Sequence, residues 1–483
     1  MISKSFLKSS IIYTVGGALP MVGSLILLPF YTNFFSPAQY VSLNFYILVS
    51  LLFQILFSYS IESYFGVKYT QLTADPVEQK KFVGTVSNLL LMIGAGLLLL
   101  SIILGPFLFP FIFNEKDQVS FWPFGLASII TAFFNSYFKA STNALIYFKK
   151  PNIFLLFNVI NLLATIGISI WGLYAFPCSL VGPIAGRFFS GVIIFFLGIY
   201  IFKTNSIWVF DKKFLTELQK FCTPYISFVL FYWILGFIDR FFLKNIVSSE
   251  ELAAYDLLLK CLFGIEFVQN GLAAIVFPKV FAIWTANKTN ETTQESNRYF
   301  NVSTALNVLI LISFCIVIPI MIRLFVNKDD YFQSFAFIGL VSAGYITRGI
   351  INYYLSTILF TKKTILLIKI FGYSSVIQIL TTMVLAYYFG IIGAIYAGLI
   401  TKLVQVFFSY YLTKGIFTYN INYIKIYGIP FLFLVTNAFC YFLFPSYNIM
   451  VYLTQLVVFG ALFYFIFKNE IYALQEQFFS KKA

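Results

Sequence analysis

The chain has 483 residues, of which 60% are hydrophobic and 10% charged. Its formal net charge is +14 and its mean hydropathy +0.88. A soluble protein of this length needs a far larger charged surface, so the composition excludes a water-soluble globular fold and places the chain in lipid. There is no His, which removes imidazole catalysis and most zinc sites.

Apolar runs of membrane-spanning length follow one another along the chain. They cover about 9–31, 40–64, 83–108, 120–147, 153–175, 179–202, 221–243, 253–278, 300–325, 333–358, 364–388, 391–413, 426–446 and 448–468. The first follows Lys4 and Lys8 and is too long for a signal-peptide core, so it is expected as a retained span. The expectation is an all-α polytopic membrane protein of about fourteen helices. Residues 203–220 alternate apolar and charged side chains and are expected to form an amphipathic cytoplasmic linker helix. The five cysteines form no CxxC pair and read as small buried hydrophobes.

The basic residues sort by loop. One set of connections holds Lys68, Lys80, Lys81, Lys149, Lys150, Lys203, Lys279, Lys288, Arg298, Lys362, Lys363, Lys414 and Lys425, among others. The opposite set holds Lys116, Lys244, Arg323 and Lys328. The positive-inside rule puts the first set, and both termini, in the cytoplasm.

The chain also resembles itself at an offset of about 212–213 residues. Phe148-Lys149-Lys150 answers Thr361-Lys362-Lys363, and Ala185-Gly186 answers Ala397-Gly398. Residues 35–40 answer 247–252. Six spans per repeat is an even number, so the halves keep one orientation, an arrangement of alternating-access transporters. The expected organisation is a six-helix bundle over 1–202, the linker 203–220, a second bundle over 221–413, and two added helices with a cytoplasmic tail over 414–483. Gly16, Gly17 and Pro20 in the first span read as a hinge, or as ordinary membrane-helix Gly and Pro.

Four cations lie deep in these spans: Lys139, Arg187, Arg348 and Lys402. A charge in hydrocarbon costs about 2.5–3.5 kcal/mol on insertion scales, so each is expected to face a partner or a wet cavity. Arg348 and Arg187 are the best candidates for gripping phosphate oxygens, with Lys139 and Lys402 behind them. Ion pairing or snorkelling are the alternatives. Among the acids, Asp256 and Lys260 are spaced for a helical pair. Asp239 and Arg240 are adjacent and are expected to point apart. Glu62 is expected near an interface. Glu266 has no opposite charge one turn away, so it reads as a coupling-ion site for H⁺ or Na⁺, or as a partner of Lys139 or Lys402.

Leu27-Leu28-Pro29-Phe30-Tyr31-Thr32 followed by Phe35-Ser36-Pro37-Ala38-Gln39-Tyr40 resembles the opening of Wzx-type polysaccharide flippases. These belong to the multidrug/oligosaccharidyl-lipid/polysaccharide exporter superfamily, which includes the MATE drug exporters. Val41 stands where that pattern usually has Gly. Asp239-Arg240, Tyr255 and Phe389-Gly390-Ile391-Ile392-Gly393-Ala394 continue the resemblance. It implies a MATE-like fold in a bacterial cytoplasmic membrane. The implied substrate is an undecaprenyl-pyrophosphate-linked oligosaccharide, such as an O-antigen, capsule or exopolysaccharide unit. The implied partners are membrane lipids and the polysaccharide polymerase or chain-length machinery. No cofactor, resident metal or nucleic acid is expected. A MATE-like exporter of cations is the rival reading, but residues 9–31 lack the carboxylate associated with the prokaryotic MATE cation site. A membrane enzyme is a poor match, because no long outer loop carries catalytic acids, and there is no GxxxxGK[ST] loop for ATP.

Overall fold

The computed structural model describes residues 4–72, 74–287, 290–444, 446–468, 470 and 472, with 4–11 as backbone. Lys288 and the expected tail from 473 onward lie outside them. The helices are α1 (Lys4–Phe34), α2 (Pro37–Ser58), α3 (Ile61–Gln71), α4 (Pro76–Ile112), α5 (Leu126–Tyr147), α6 (Pro151–Ala175) and α7 (Val181–Asn205). They continue with α8 (Lys212–Leu243), α9 (Ser249–Ala286), α10 (Gln294–Phe325), α11 (Ile338–Phe360), α12 (Ile365–Thr413), α13 (Ile429–Leu443) and α14 (Ile449–Ile466). Among the described residues, twelve helices are long and apolar enough to cross a membrane. The α12 helix contains two of the expected spans, and α5 supplies a further one between α4 and α6. The chain divides into two compact units, Met1–Trp233 and Ile234–Ala483.

The internal repeat is written in the helix ends. Ser36 caps α2 in a capping box with Gln39, and Ser248 caps α9 in the same way with Glu251. Lys149 ends α5 at φ 55° and Lys362 ends α11 at φ 57°. In each case two amides close back on the last turn: Lys150 N to Leu145 O and Lys149 N to Ile146 O, then Lys363 N to Ile358 O and Lys362 N to Leu359 O. That is a Schellman cap with Lys where Gly is usual. Left-handed backbone recurs between the last two helices of each repeat, at Cys178 (φ 58°) and Gly390 (φ 58°). Gly390 also has ψ −133°, a conformation suited to Gly.

Small residues set the helix packing, as lipid supplies no hydrophobic drive between helices. A Cβ on Gly172 would lie 2.5 Å from Gly182 Cα, and one on Gly186 would lie 2.0 Å from Ser169 Oγ, so α6 and α7 pack backbone to backbone. Further along α7, Gly191 and Gly198 turn toward α5, where they meet Phe134, Tyr137 and Ser141.

One expectation is corrected. Residues 203–220 do not form one amphipathic helix. α7 ends at Asn205, 206–211 carry no regular structure, and α8 starts at Lys212. The stretch lies on α4: Ile207 N donates to Lys80 O at 3.1 Å, and Asp211 N donates to Thr85 Oγ1 at 3.1 Å. Gly84 makes room for it, because a Cβ there would sit 1.9 Å from Ile207 O. Gly16, Gly17 and Pro20 lie inside the helix α1, in keeping with the alternative of ordinary membrane-helix Gly and Pro, and a Cβ on Gly16 would meet Phe154 at 2.8 Å. The non-helical residue inside a long helix is Gly390 of α12.

Candidate functional site

Each unit carries charge within its spans, and the partners sort the residues into three groups. In the first unit, Tyr59 and Ser60 take left-handed conformations and break α2 from α3. The break places Glu62 in the first turn of α3, beside the helix N-terminus, where a carboxylate is favoured. Lys139 of α5 reaches it, with Nζ 2.7 Å from Glu62 Oε1. One turn on, Asn143 Nδ2 donates to Glu62 O at 2.8 Å. The lysine side chain is 56% exposed, so this pair is not deeply buried. Farther along α3, Lys68 pairs with Glu217, which also accepts from Tyr64 at 3.2 Å.

Arg187 has a different environment. Gly182 and Gly186 turn one face of α7 onto α6, and Arg187, the next residue around, lines a cleft with Leu43, Tyr46, Ser128 and Thr131 of α2 and α5. Tyr31 is within its electrostatic reach. Among the described residues no carboxylate forms an ion pair with Arg187.

In the second unit, Arg348 of α11 meets Glu266 of α9 at 2.6 Å, and its other amino group donates to Asn270 at 3.0 Å. Glu266 and Asn270 are four apart on α9, so one helical face supplies a carboxylate and an amide to the guanidinium fork. The ion pair of Glu266 is with Arg348, because α9 packs against α11, while Lys402 lies within its electrostatic reach. Lys402 of α12 lies over the Tyr345 ring at 4.5 Å, with Nζ against the α11 backbone, 3.0 Å from where a Cβ on Gly344 would be. The ring face stabilises the ammonium. Like Arg187, it forms no ion pair with a carboxylate among the described residues.

A third group joins α8 to α9. Arg240, with its side chain 4% exposed, meets Asp239 at 2.8 Å and Asp256 at 3.1 Å. Lys260 reaches Asp256 at 3.3 Å, as its spacing predicts, and Tyr255 donates to Asp239 at 2.8 Å. Asp239 and Arg240 therefore do pair, contrary to expectation. The long arginine stem folds back along α8, where Nη1 also donates to Gly236 O at 2.5 Å. Two acids and two bases compensate one another, the condition under which buried charge is tolerated.

The groups show a common plan. At the repeat offset of about 212, Lys139 falls three residues from Arg348, and Arg187 falls three residues from Lys402. Three residues is roughly one helical turn. Each repeat thus has an acid on its second span paired to a cation on its fourth, and on its sixth a cation that forms no ion pair with a carboxylate among the described residues. Asn270 and Tyr345 escaped the sequence reading, since uncharged side chains in membrane helices carry no pattern of their own. No group of His, Cys, Asp and Glu among the described residues is placed to hold a metal ion.

No protein-family model matches the chain, and no curated protein does. Solved structures do match. The lipid II flippase MurJ, in an inward closed conformation, aligns with a TM-score of 0.69 at 16% identity, over 97% of this chain and 99% of that one. An inward-facing MATE multidrug resistance transporter of the MOP superfamily gives 0.64 at 10% identity, over 86% and 99%. The Vibrio cholerae MATE transporter VcmN in the bent form gives 0.56 at 13%, over 89% and 98%. The chain has the fold of these transporters.

Proposed function

We propose that the chain is an alternating-access flippase for an anionic amphiphile, an undecaprenyl-pyrophosphate-linked oligosaccharide, with its basic loops in the cytoplasm of a bacterium. The observation that carries this reading is the pair of span cations Arg187 and Lys402, one in each repeat, which form no ion pair with a carboxylate among the described residues. A phosphate-bearing headgroup supplies the missing charge: a pair at 4 Å gains about 4 kcal/mol at an effective dielectric of 20, before desolvation. The flippase alignment over 97% of this chain supports the same reading, since the two MATE alignments cover 86% and 89%. Arg348 joins Arg187 and Lys402 as a phosphate contact, with Glu266 as the counter-ion that phosphate displaces. Lys139 is the weakest of the four, because Glu62 already holds it at 2.7 Å.

A MATE-like cation exporter needs an acid available to a cationic drug. Here Glu62, Asp239, Asp256 and Glu266 are each engaged by Lys or Arg.

The test is deletion of the gene, followed by quantification of polyprenyl-pyrophosphate-linked glycan on each leaflet together with surface polysaccharide. Accumulation of cytoplasm-facing lipid-linked glycan with loss of surface polysaccharide is the expected result. Normal surface glycan with raised sensitivity to cationic drugs overturns it in favour of the exporter.

A further inference from the structure

The stretch 206–211 carries an exposed surface that the transport reading does not use. Its backbone is tied to α4 near both ends, by Ile207 N on Lys80 O and by Asp211 N on Thr85 Oγ1. Between the ties, Val209 N donates to Ile207 O at 2.8 Å. That i to i+2 bond closes a three-residue turn with Trp208 at its apex. Trp208 is 51% exposed, and Ile207, Val209 and Phe210 are 38–40% exposed. Four consecutive apolar side chains are therefore held outward on an anchored backbone.

Their place along the helices sets what they can meet. The stretch leaves α7, lies on the first turns of α4 and enters α8, and all three helices are long and apolar enough to cross a membrane. The α4 helix has 37 residues, about 55 Å at the usual rise, against about 30 Å of hydrocarbon. Its surplus length falls at the charged start, Glu78-Gln79-Lys80-Lys81, where the stretch is tied. The four apolar side chains thus stand at the level of the lipid headgroups, the depth at which Trp is enriched in membrane proteins.

Charge narrows the partner. Lys203, Lys212 and Lys213 flank the stretch in the chain, and Lys80 is hydrogen-bonded to it through its carbonyl. All four are exposed, and none forms an ion pair among the described residues. The acids close by are engaged: Glu78 pairs with Lys81 at 3.0 Å, and Asp211 accepts from Lys213 N at 2.9 Å. An apolar tip ringed by unpaired lysines complements a surface that is apolar below and negative above. We propose that Trp208 and its neighbours insert into the bilayer interface, and that Lys80, Lys203, Lys212 and Lys213 select anionic phospholipid headgroups there. This needs α4, α7 and α8 to span the membrane, but it does not depend on the transport substrate.

The experiment is fluorescence quenching on the full chain in nanodiscs of phosphatidylcholine and phosphatidylglycerol. Two samples hold the same fractions of both lipids. In one a set amount of the phosphatidylglycerol is brominated near the ester end of its acyl chains, and in the other the same amount of the phosphatidylcholine. The chain has five tryptophans, so the Trp208 signal is the difference between the unaltered protein and Trp208→Phe. Brominated phosphatidylglycerol should quench that signal at least about twofold more than brominated phosphatidylcholine. The preference should vanish when Lys203→Gln, Lys212→Gln and Lys213→Gln are combined, and persist when the same three are changed to Arg. Four results overturn the proposal: no quenching of Trp208 by either lipid, which leaves the surface to water or a soluble partner; equal quenching by both; a preference that survives the Gln variant; or one that is lost in the Arg variant as well. Transport is not part of the readout, so failure here leaves the flippase reading standing, and failure of that reading leaves this one.

Discussion

Arg348 holds Glu266 at 2.6 Å across α9 and α11, so the arginine proposed as a phosphate contact in the second repeat is engaged by a carboxylate. On the proposed flippase reading, an anionic headgroup competes with that carboxylate for the guanidinium. Glu266→Gln keeps the shape and removes the charge. It should tighten binding of undecaprenyl pyrophosphate several-fold while lowering thermal stability. Both side chains are about a quarter exposed, so a loss of about 1–2 kcal/mol is expected, below the figure for a fully buried pair. Calorimetric titration and a melting curve on the same sample check both arms.

Arg187→Ala and Lys402→Ala should each abolish most transport, read as surface polysaccharide, with the protein still inserted. Neither residue breaks an ion pair among the described residues, so the cost in stability should stay small. Lys139→Ala should do less to transport, since it leaves Glu62 and not a substrate group without its partner.

The two lysine Schellman caps make the opposite kind of prediction. A side chain at φ 55–57° costs about 1 kcal/mol that Gly does not pay. Lys149→Gly and Lys362→Gly should each raise the melting temperature. A lowered melting temperature in both would mean that the lysine heads contribute more than the backbone costs.

The α6–α7 seam has no room for growth. Gly172→Val should push the helices apart, as a Cβ there lies 2.5 Å from Gly182 Cα. Overpacking of this kind costs about 1–3 kcal/mol. Arg187 lies a little over one turn beyond Gly182, so the same change should also lower transport, and a conservative Gly172→Ala should fall between the two.

Glu470 gives a pH prediction. Burial raises its carboxyl, but hydrogen bonds from Lys425 and Asn301 outweigh that, and the net shift is below the ordinary value of 4.5. A depressed pKa stabilises the folded state above the unfolded value and loses that contribution as pH falls through the folded one. Melting temperature should therefore fall below about pH 4.5 in the unaltered protein, and less steeply in Glu470→Gln.

Much was legible in the sequence because lipid leaves few choices. Runs of about twenty apolar residues must be helices, and their number and order followed directly. The repeat was legible as well. The fragments around Ser36 and Ser248, and around Lys149 and Lys362, are local caps whose chemistry lies within six residues of chain. So was the Asp256–Lys260 pair, one turn apart on one helix. What only the tertiary structure decided is which charge meets which. Helix rotation and the choice of neighbour depend on small-residue seams and close backbone contacts, not on hydropathy. Those contacts gave Glu266 to Arg348, folded Arg240 back on Asp239, laid 206–211 over Gly84, and left Arg187 and Lys402 with no ion pair to a carboxylate among the described residues. A charge in a span announces itself in sequence, but its partner lies tens of residues away, and packing alone brings the two together.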